Sequence, residues 1–111
     1  MDLSVTTESI GETFIVHIAG DLDVYTAPQL KDSLLQAILG RGPLVLDLSD
    51  VHFIDSTALS VLADALRRTQ AADRDLRLVM DDPYLLKIFR ITGFDGLFTI
   101  FPGVSEAVSV G

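Results

Sequence analysis

The segment from residue 45 to residue 66 changes from a strand pattern to a helix pattern within a few residues, and this change limits the folds open to the chain. Its first part, with Val45, Leu46 and Leu48, is a short apolar run typical of a buried strand. Its later apolar residues fall at i, i+3, i+4 and i+7, which is one face of an α-helix: Leu59, Leu62, Ala63 and Leu66. A strand that leads directly into a helix is the repeating unit of α/β folds.

The rest of the chain shows the same alternation. Apolar residues that alternate around a turn at Glu8 to Glu12 predict a hairpin of two strands, the second of which ends at Gly20. Thr26 and Gln29, with Pro28 between them, form a capping box that predicts the first helix. The later predicted elements are a strand from Pro43 to Leu48, a helix from Ser56 to about Ala72, a strand from Leu76 to Met80, a helix capped by Asp82 that ends at Gly93, a strand from Leu97 to Phe101 and a short helix from near Val104.

These elements predict a single domain, residues 1–111, of class α/β. Strands that alternate with helices form a mostly parallel sheet, and the opening hairpin adds one antiparallel strand. We therefore expect a mixed sheet of four to five strands packed with about four helices. A hydrophobic content of 49% in 111 residues is sufficient for one core.

Composition excludes several classes of function. The chain has 16 acidic and 8 basic residues and a net charge of -8, which argues against binding the nucleic-acid backbone. It contains no cysteine and only two histidines, so we expect no metal site and no cofactor. No window reaches the roughly 18 apolar residues of a membrane span, and no leader pattern stands at residues 1–4. We expect a cytoplasmic protein that does not bind membranes and whose partner is another protein.

The junction between the central strand and the following helix, Phe53-Ile54-Asp55-Ser56-Thr57-Ala58-Leu59, is the first place to look for function. Ser56 is predicted at or near the helix N-cap, where its hydroxyl can act as an ordinary cap. The free N–H groups and the helix dipole at the same place also tolerate a phosphate group. Both interpretations are open at this point.

Two aspartates, Asp21 and Asp23, follow the predicted second strand. By themselves they would be interpreted as loop and capping residues. If the second and third strands are parallel neighbours, however, these aspartates emerge at the same sheet edge as Asp55 and Ser56, where α/β proteins usually keep their sites. The result would be an acidic patch centred on a hydroxyl.

Such a patch suits a charge switch. Phosphorylation would add about -1.5 to -2 of charge beside the existing carboxylates, and a partner matched to the unmodified surface would no longer bind. The fold should survive, because the new anion lies at a helix N-terminus and not in a core.

Catalysis is a weaker alternative. The residue types of a hydrolase triad are present, but His52 is too close in sequence to reach behind Ser56, and His17 lies in the middle of a predicted strand. The glycines of a nucleophile elbow are missing, as are the Gly-rich phosphate loops of nucleotide-binding proteins. We therefore expect that the protein is not an enzyme and has no catalytic residues.

Four segments of the chain resemble the bacterial anti-sigma factor antagonists, which are single STAS-domain proteins. In chain order they are GDLDVYTAP at residues 20–28, VLDL at 45–48, FIDSTAL at 53–59 and FRITGF at 89–94. The resemblance covers nearly the whole chain and implies a partner-switching protein. In that family the unphosphorylated antagonist binds an anti-sigma factor that is also an ATP-dependent serine kinase, and a sigma factor is released. The kinase phosphorylates the serine that follows the motif aspartate, and a serine phosphatase removes the phosphate.

Carried onto this chain, the resemblance makes Ser56 the phosphoacceptor and Thr57 the second choice. The implied partner-binding residues are Asp21, Asp23, Asp55, Ser56, Thr57, Ala58 and Leu59. Ala58 stands where the family usually has glycine, which bears on how efficiently Ser56 is modified. The alternative is a STAS scaffold or ligand-binding module that uses the same sheet edge without phosphorylation.

Overall fold

The computed structural model describes residues 2–109. Within this range the strands are β1 (Leu3–Ile10), β2 (Thr13–Leu22), β3 (Leu44–Ile54), β4 (Leu76–Val79) and β5 (Thr99–Phe101). The α-helices are α1 (Ala27–Ile38), α2 (Ser56–Ala71), α3 (Pro83–Thr92) and α4 (Val104–Ser109), and a turn of 3-10 helix covers Phe94–Gly96.

The strands form one sheet in the order β1-β2-β3-β4-β5. β1 and β2 are an antiparallel hairpin, and the other neighbouring pairs are parallel. The predicted α/β class, with a mostly parallel sheet and one antiparallel pair, is confirmed.

The sheet is covered on both faces, because side chains of successive strand residues point in opposite directions. On one face, Leu44 and Leu46 of β3 belong to a large core that α1, α2 and α3 complete. On the other face, Val45 packs with Ile15, Val79 and Ala107 of α4. The first part of the central strand, Leu44 to Leu48, is therefore buried on both sides, as its near-continuous apolar sequence predicts.

The last strand begins at Thr99 and not at the predicted Leu97, because the N–H groups of Leu97 and Phe98 donate to the Phe94 carbonyl in the preceding turn. Two other strands, β2 and β3, continue farther towards the junction than the sequence predicts. β2 continues to Leu22, because Gly20 adopts a φ of +116° and the pairing with β3 shifts register between Gly20 and Asp21. A Cβ at Gly20 would come within 2.3 Å of the carbonyl oxygen of Asp2, so glycine is needed there. β3 continues to Ile54, since the polar residues Ser49 and Asp50 interrupt the apolar pattern without ending the strand.

A polar cluster joins β1, β2 and β3. Both ring nitrogens of His17 face carboxylates, with Nδ1 2.6 Å from Asp47 Oδ2 and Nε2 beside a carboxylate oxygen of Glu8, and the protonated ring donates to both. Ser49 donates its hydroxyl to the other oxygen of Asp47 at 2.6 Å. Partial burial alone would lower the pKa of His17, but the hydrogen bonds and charges of Glu8 and Asp47 outweigh it and raise that pKa above 6.5.

The His17 cluster predicts a pH dependence of stability. Because the folded-state pKa of His17 is higher than its unfolded-state value, the protonated ring contributes stability that is complete below about pH 6.5 and is lost as the pH rises through the folded-state pKa. The difference in free energy of unfolding between wild type and His17→Gln should therefore be largest below about pH 6.5 and should shrink as the pH rises above it. Urea denaturation measures this difference, and His52→Gln controls for the loss of a histidine. A difference that stays constant or grows with pH contradicts the account.

Candidate functional site

β2 and β3 end side by side at the edge of the sheet where the parallel strands have their carboxyl ends. In the parallel register Asp21 pairs with Phe53 and Leu22 pairs with Ile54. The loop that contains Asp23 and the junction that contains Asp55 and Ser56 therefore leave the sheet next to each other. The sequence predicted this arrangement on the condition that β2 and β3 are parallel neighbours, and they are.

Asp55 holds the junction together through three hydrogen bonds. As the N-cap of α2, it accepts from the Ala58 N–H through Oδ1 at 3.0 Å. Its other carboxylate oxygen, Oδ2, accepts from the Val24 N–H at 2.9 Å, and its own N–H donates to the Leu22 carbonyl at 3.0 Å. One carboxylate thus caps the helix and fastens the neighbouring loop to it.

Ser56 is the first residue of α2, next to the N-cap as predicted, but the cap itself is Asp55 and not the Ser56 hydroxyl. The side chain is exposed, and its hydroxyl makes no hydrogen bond to any group of residues 2–109. The neighbouring Thr57 is exposed as well. Because Asp55 caps the helix through the Ala58 N–H, the fold does not need a hydroxyl at Ser56. The N–H groups of Ser56 and Thr57, which precede Ala58, remain available to an anion.

Ala58 and Leu59 lie beneath this surface. Their relative exposures are 0% and 7%, and both belong to the core that α2 forms against the sheet. Of the predicted partner-binding residues, these two therefore offer no side-chain surface to a partner. They position Ser56 and Thr57 from below.

The loop between β2 and α1 is fixed by its own polar groups. Asp23 Oδ1 accepts from the N–H groups of Tyr25 and Thr26, each at 2.9 Å. The buried Thr26 hydroxyl donates to the Asp21 carbonyl at 2.7 Å, and Gln29 donates its side-chain amide to the Leu3 carbonyl. The predicted capping box of Thr26 and Gln29 is therefore not formed, because both side chains have partners elsewhere.

Sequence reasoning missed the apolar side chains that stand exposed at this edge. Tyr25 is 86% exposed, Val24 54%, Tyr84 47% and Phe53 41%. The sequence signal that could have indicated them is the pair Val24 and Tyr25, two apolar residues that stand between the polar residues Asp23 and Thr26 in a predicted loop. Large exposed apolar side chains that lie close together mark interaction surfaces more often than scattered ones do.

The carboxyl edge is also strongly acidic. The segments that end or follow the parallel strands there, residues 20–28, 52–58, 80–84 and 101–104, contain no lysine or arginine and five aspartates: Asp21, Asp23, Asp55, Asp81 and Asp82. A hydrogen bond from the His52 ring and one from the Tyr84 N–H lower the pKa of Asp82, so that its charge persists in mildly acid solution. We call this region, together with Ser56, the acidic edge.

Most of the cations lie at the opposite end of the sheet. Arg41, Arg67, Arg68 and Arg74 fall in the connections and helix turns that lead into β3 and β4, and Arg77 is the second residue of β4. Two of them are committed to backbone carbonyls: Arg74 donates to Ala37, Arg41 and Gly42, and the buried Arg77 donates to Ala107. Three of the arginines also pair with carboxylates: Arg67 and Arg68 with Asp64, and Arg77 with Asp75. Most of the excess of negative charge therefore lies at the acidic edge.

The hydrogen bonds of the two histidines are made with carboxylates. His17 contacts Glu8 and Asp47, and His52 lies 3.2 Å from Asp82. Neither ring forms a hydrogen bond with the Ser56 hydroxyl within the part of the chain that the structure describes. Among residues 2–109 there is no group of three potential ligands that could hold a metal ion, and no helix there is long and apolar enough to cross a membrane.

Comparison with known families decides which group of proteins this geometry belongs to. The family model described as "STAS domain" matches residues 4–107. The chain belongs to the STAS-domain family. The family resemblance seen in the four sequence segments is thereby confirmed.

Individual relatives agree with the family match. The anti-sigma-B factor antagonist of Bacillus subtilis is 30% identical over 100 residues, which cover 90% of this chain and 92% of that protein. An anti-sigma factor antagonist from Mycobacterium paratuberculosis has the same fold, with a TM-score of 0.85, 24% identity and coverage of 97% of this chain and 92% of that one. The Bacillus protein SpoIIAA in its phosphorylated form has a TM-score of 0.71 at 19% identity and covers 95% of this STAS domain and 96% of its own chain.

The division of roles between Asp55 and Ser56 predicts that substitution of Asp55 has a large effect on the free energy of unfolding and that substitution of Ser56 has a small one. Asp55→Ala removes the cap of α2 and the bond to Val24, and should lower the free energy of unfolding by about 2 kcal/mol. Ser56→Ala removes an exposed hydroxyl without a partner and should change it by less than about 0.5 kcal/mol. Urea denaturation compares the two. Asp55→Ser keeps a capping oxygen but loses the bridge, so its effect should lie between them; a Ser56→Ala loss as large as that of Asp55→Ala contradicts the assignment.

Proposed function

We propose that this protein is an anti-sigma factor antagonist whose binding is switched off by phosphorylation of Ser56. In its unmodified form it binds an anti-sigma factor that is also a serine kinase, and a sigma factor is released. The observation that carries the proposal is the exposed hydroxyl of Ser56, which is the first residue of α2 and has no structural partner because Asp55 caps the helix. A serine phosphatase resets the switch, and the cycle runs in the cytoplasm.

The family supports this role. The curated relative from Bacillus subtilis is named for antagonism of an anti-sigma factor, and SpoIIAA is described both in an unphosphorylated and in a phosphorylated form. The chain matches these proteins over nearly its whole length, and its Asp55-Ser56 pair stands at the strand-to-helix junction of the shared fold.

Phosphorylation at Ser56 is compatible with the fold. The phosphate would lie next to the first N–H groups of α2, where the helix dipole favours negative charge. The hydrogen bonds of Asp55 to Ala58 and Val24 do not involve the Ser56 side chain. The modification therefore changes the surface and leaves the scaffold in place.

The same phosphate would weaken the complex. A serine kinase holds the acceptor hydroxyl next to the terminal phosphate of ATP, so a phosphoserine in that position meets the phosphates of the bound nucleotide. It also places about -1.5 to -2 of charge beside Asp21, Asp23 and Asp55, and it must lose water to fit the contact that suited a hydroxyl. Repulsion and desolvation both favour release.

Phosphate transfer and affinity test this proposal with matched variants. Each kinase-type anti-sigma factor of the host genome is purified and incubated with the protein and ATP, and the modified residue is mapped by mass spectrometry. We expect label on Ser56 in wild type and no label at this position in Ser56→Ala. Ser60→Ala is the matched control and should be labelled on Ser56 as in wild type, because the exposed Ser60 hydroxyl that it removes donates to the Ser56 carbonyl. By calorimetry, Ser56→Ala should bind within about threefold of wild type, and Ser56→Asp at least about tenfold more weakly.

Two results would contradict it. Label found only outside Ser56 and Thr57 rules out the acceptor assignment. Binding without phosphate uptake from any of these kinases favours the alternative, a STAS scaffold that is not phosphorylated.

The alanine at position 58 is expected not to hinder modification. Its methyl group is fully buried, so it does not lie between Ser56 and a kinase. Ala58→Gly should lower the stability of the protein by about 1 kcal/mol, because glycine is a poor helix former, and should leave kcat/KM for phosphorylation of Ser56 within about twofold. Steady-state kinetics with one purified kinase measure this; a large increase in kcat/KM would show that the methyl group restricts the approach.

A further inference from the structure

The most exposed aromatic side chain at the acidic edge, Tyr25, has no role in the fold. Its ring is 86% exposed. The backbone around it is nevertheless held firmly, since the Tyr25 N–H donates to Asp23 Oδ1 at 2.9 Å and the flanking Val24 N–H donates to Asp55 Oδ2. An exposed aromatic ring on a fixed backbone loses little conformational entropy when it is buried in a complex.

Two further exposed apolar side chains, Val24 and Phe53, belong to the same junction as Tyr25 and Ser56. Val24, 54% exposed, is joined to the serine through Asp55, which precedes Ser56 directly. Phe53, 41% exposed, pairs with Asp21 in the register of β2 and β3. These three side chains therefore stand on the two segments, the β2–α1 loop and the end of β3, that the Asp55 carboxylate and the strand pairing bring together beside Ser56.

The charges of these segments indicate what covers them. The segments of the acidic edge hold five aspartates and no lysine or arginine, and Lys31 of α1 is a cation that lines a groove with Thr57. A partner with lysines or arginines around an apolar pocket is complementary to it. A second copy of this chain is not, because two acidic edges of a protein with net charge -8 would repel each other.

We propose that Tyr25 is the anchor of the docking surface for the kinase-type anti-sigma factor, with Val24 and Phe53 completing the apolar contact. The ring enters an apolar pocket on the partner that is bordered by lysine or arginine side chains, and this contact holds Ser56 at the kinase active site. The inference rests on the proposed function and names the group that supplies most of the affinity. Tyrosine is among the residues most enriched at the energetic centres of interfaces.

Affinity measurements with two matched variants test the anchor. The probe is a purified kinase-type anti-sigma factor that binds the wild-type protein. Tyr25→Ala should weaken binding by about 30-fold or more, as expected of an interface hot spot, and Tyr25→Phe by less than about threefold. Leu39→Ala is the control, because Leu39 is 85% exposed but follows α1 at the opposite end of the sheet. It should bind within about twofold of wild type.

The dependence of affinity on salt concentration distinguishes the contribution of the ring from that of the surrounding charges. The loss caused by Tyr25→Ala should be the same at about 0.05 M and about 0.5 M NaCl, since an apolar contact is not screened. The loss caused by Asp21→Asn should shrink at the higher salt concentration. Thermal melting of Tyr25→Ala should match that of wild type, because the Asp23 and Asp55 hydrogen bonds use only backbone N–H groups of the loop.

The outcomes distinguish this inference from the proposed function. If Ser56→Asp weakens binding and Tyr25→Ala does not, the anchor is refuted and the phosphorylation switch stands. If wild type binds none of the kinase-type anti-sigma factors, both are refuted. Self-association of the wild-type chain in sedimentation that Tyr25→Ala abolishes would assign the ring to a second copy and refute the anchor.

Discussion

The Asp55 carboxylate is the interaction on which the rest of the site depends. One oxygen caps α2 at Ala58, and the other holds the β2–α1 loop at Val24. Two segments that are distant in sequence thereby become one rigid surface. Because the aspartate meets the structural needs of the junction, the serine that follows it is left at the surface without a structural task. A modification there can act on binding without acting on the fold.

The two ends of the sheet differ in charge. Five aspartates lie at the carboxyl edge of the sheet, while most arginines lie at the opposite end, where Arg74 and Arg77 bind backbone carbonyls. A cationic partner is therefore drawn to the edge that carries Ser56. The apolar side chains of Val24, Tyr25 and Phe53 stand at the same edge. In the proposed complex, the long-range charge orients the partner, the apolar contact gives affinity, and the phosphate at Ser56 ends the interaction.

The sequence predicted the order of elements and the meeting of Asp21, Asp23, Asp55 and Ser56 at one edge, because parallel strands place their carboxyl ends together. It did not predict which residue caps α2, since aspartate and serine are equally good caps and helix boundaries are uncertain by one residue. The capping box at Thr26 failed for another reason: Thr26 and Gln29 bond to Asp21 and Leu3, and no local pattern reports such partners. The exposure of Tyr25 was missed because exposure in a loop depends on the packing of the neighbouring strands.

The most direct test of the central claim is the hydrogen exchange of the Val24 and Ala58 amides, measured by NMR in the unmodified protein and in the protein phosphorylated at Ser56. These amides report the two bonds of the Asp55 carboxylate separately. If Asp55 alone supports the junction, both exchange rates stay unchanged on phosphorylation. Faster exchange at either amide would mean that the phosphate displaces the carboxylate, and the separation between fold and switch would be contradicted.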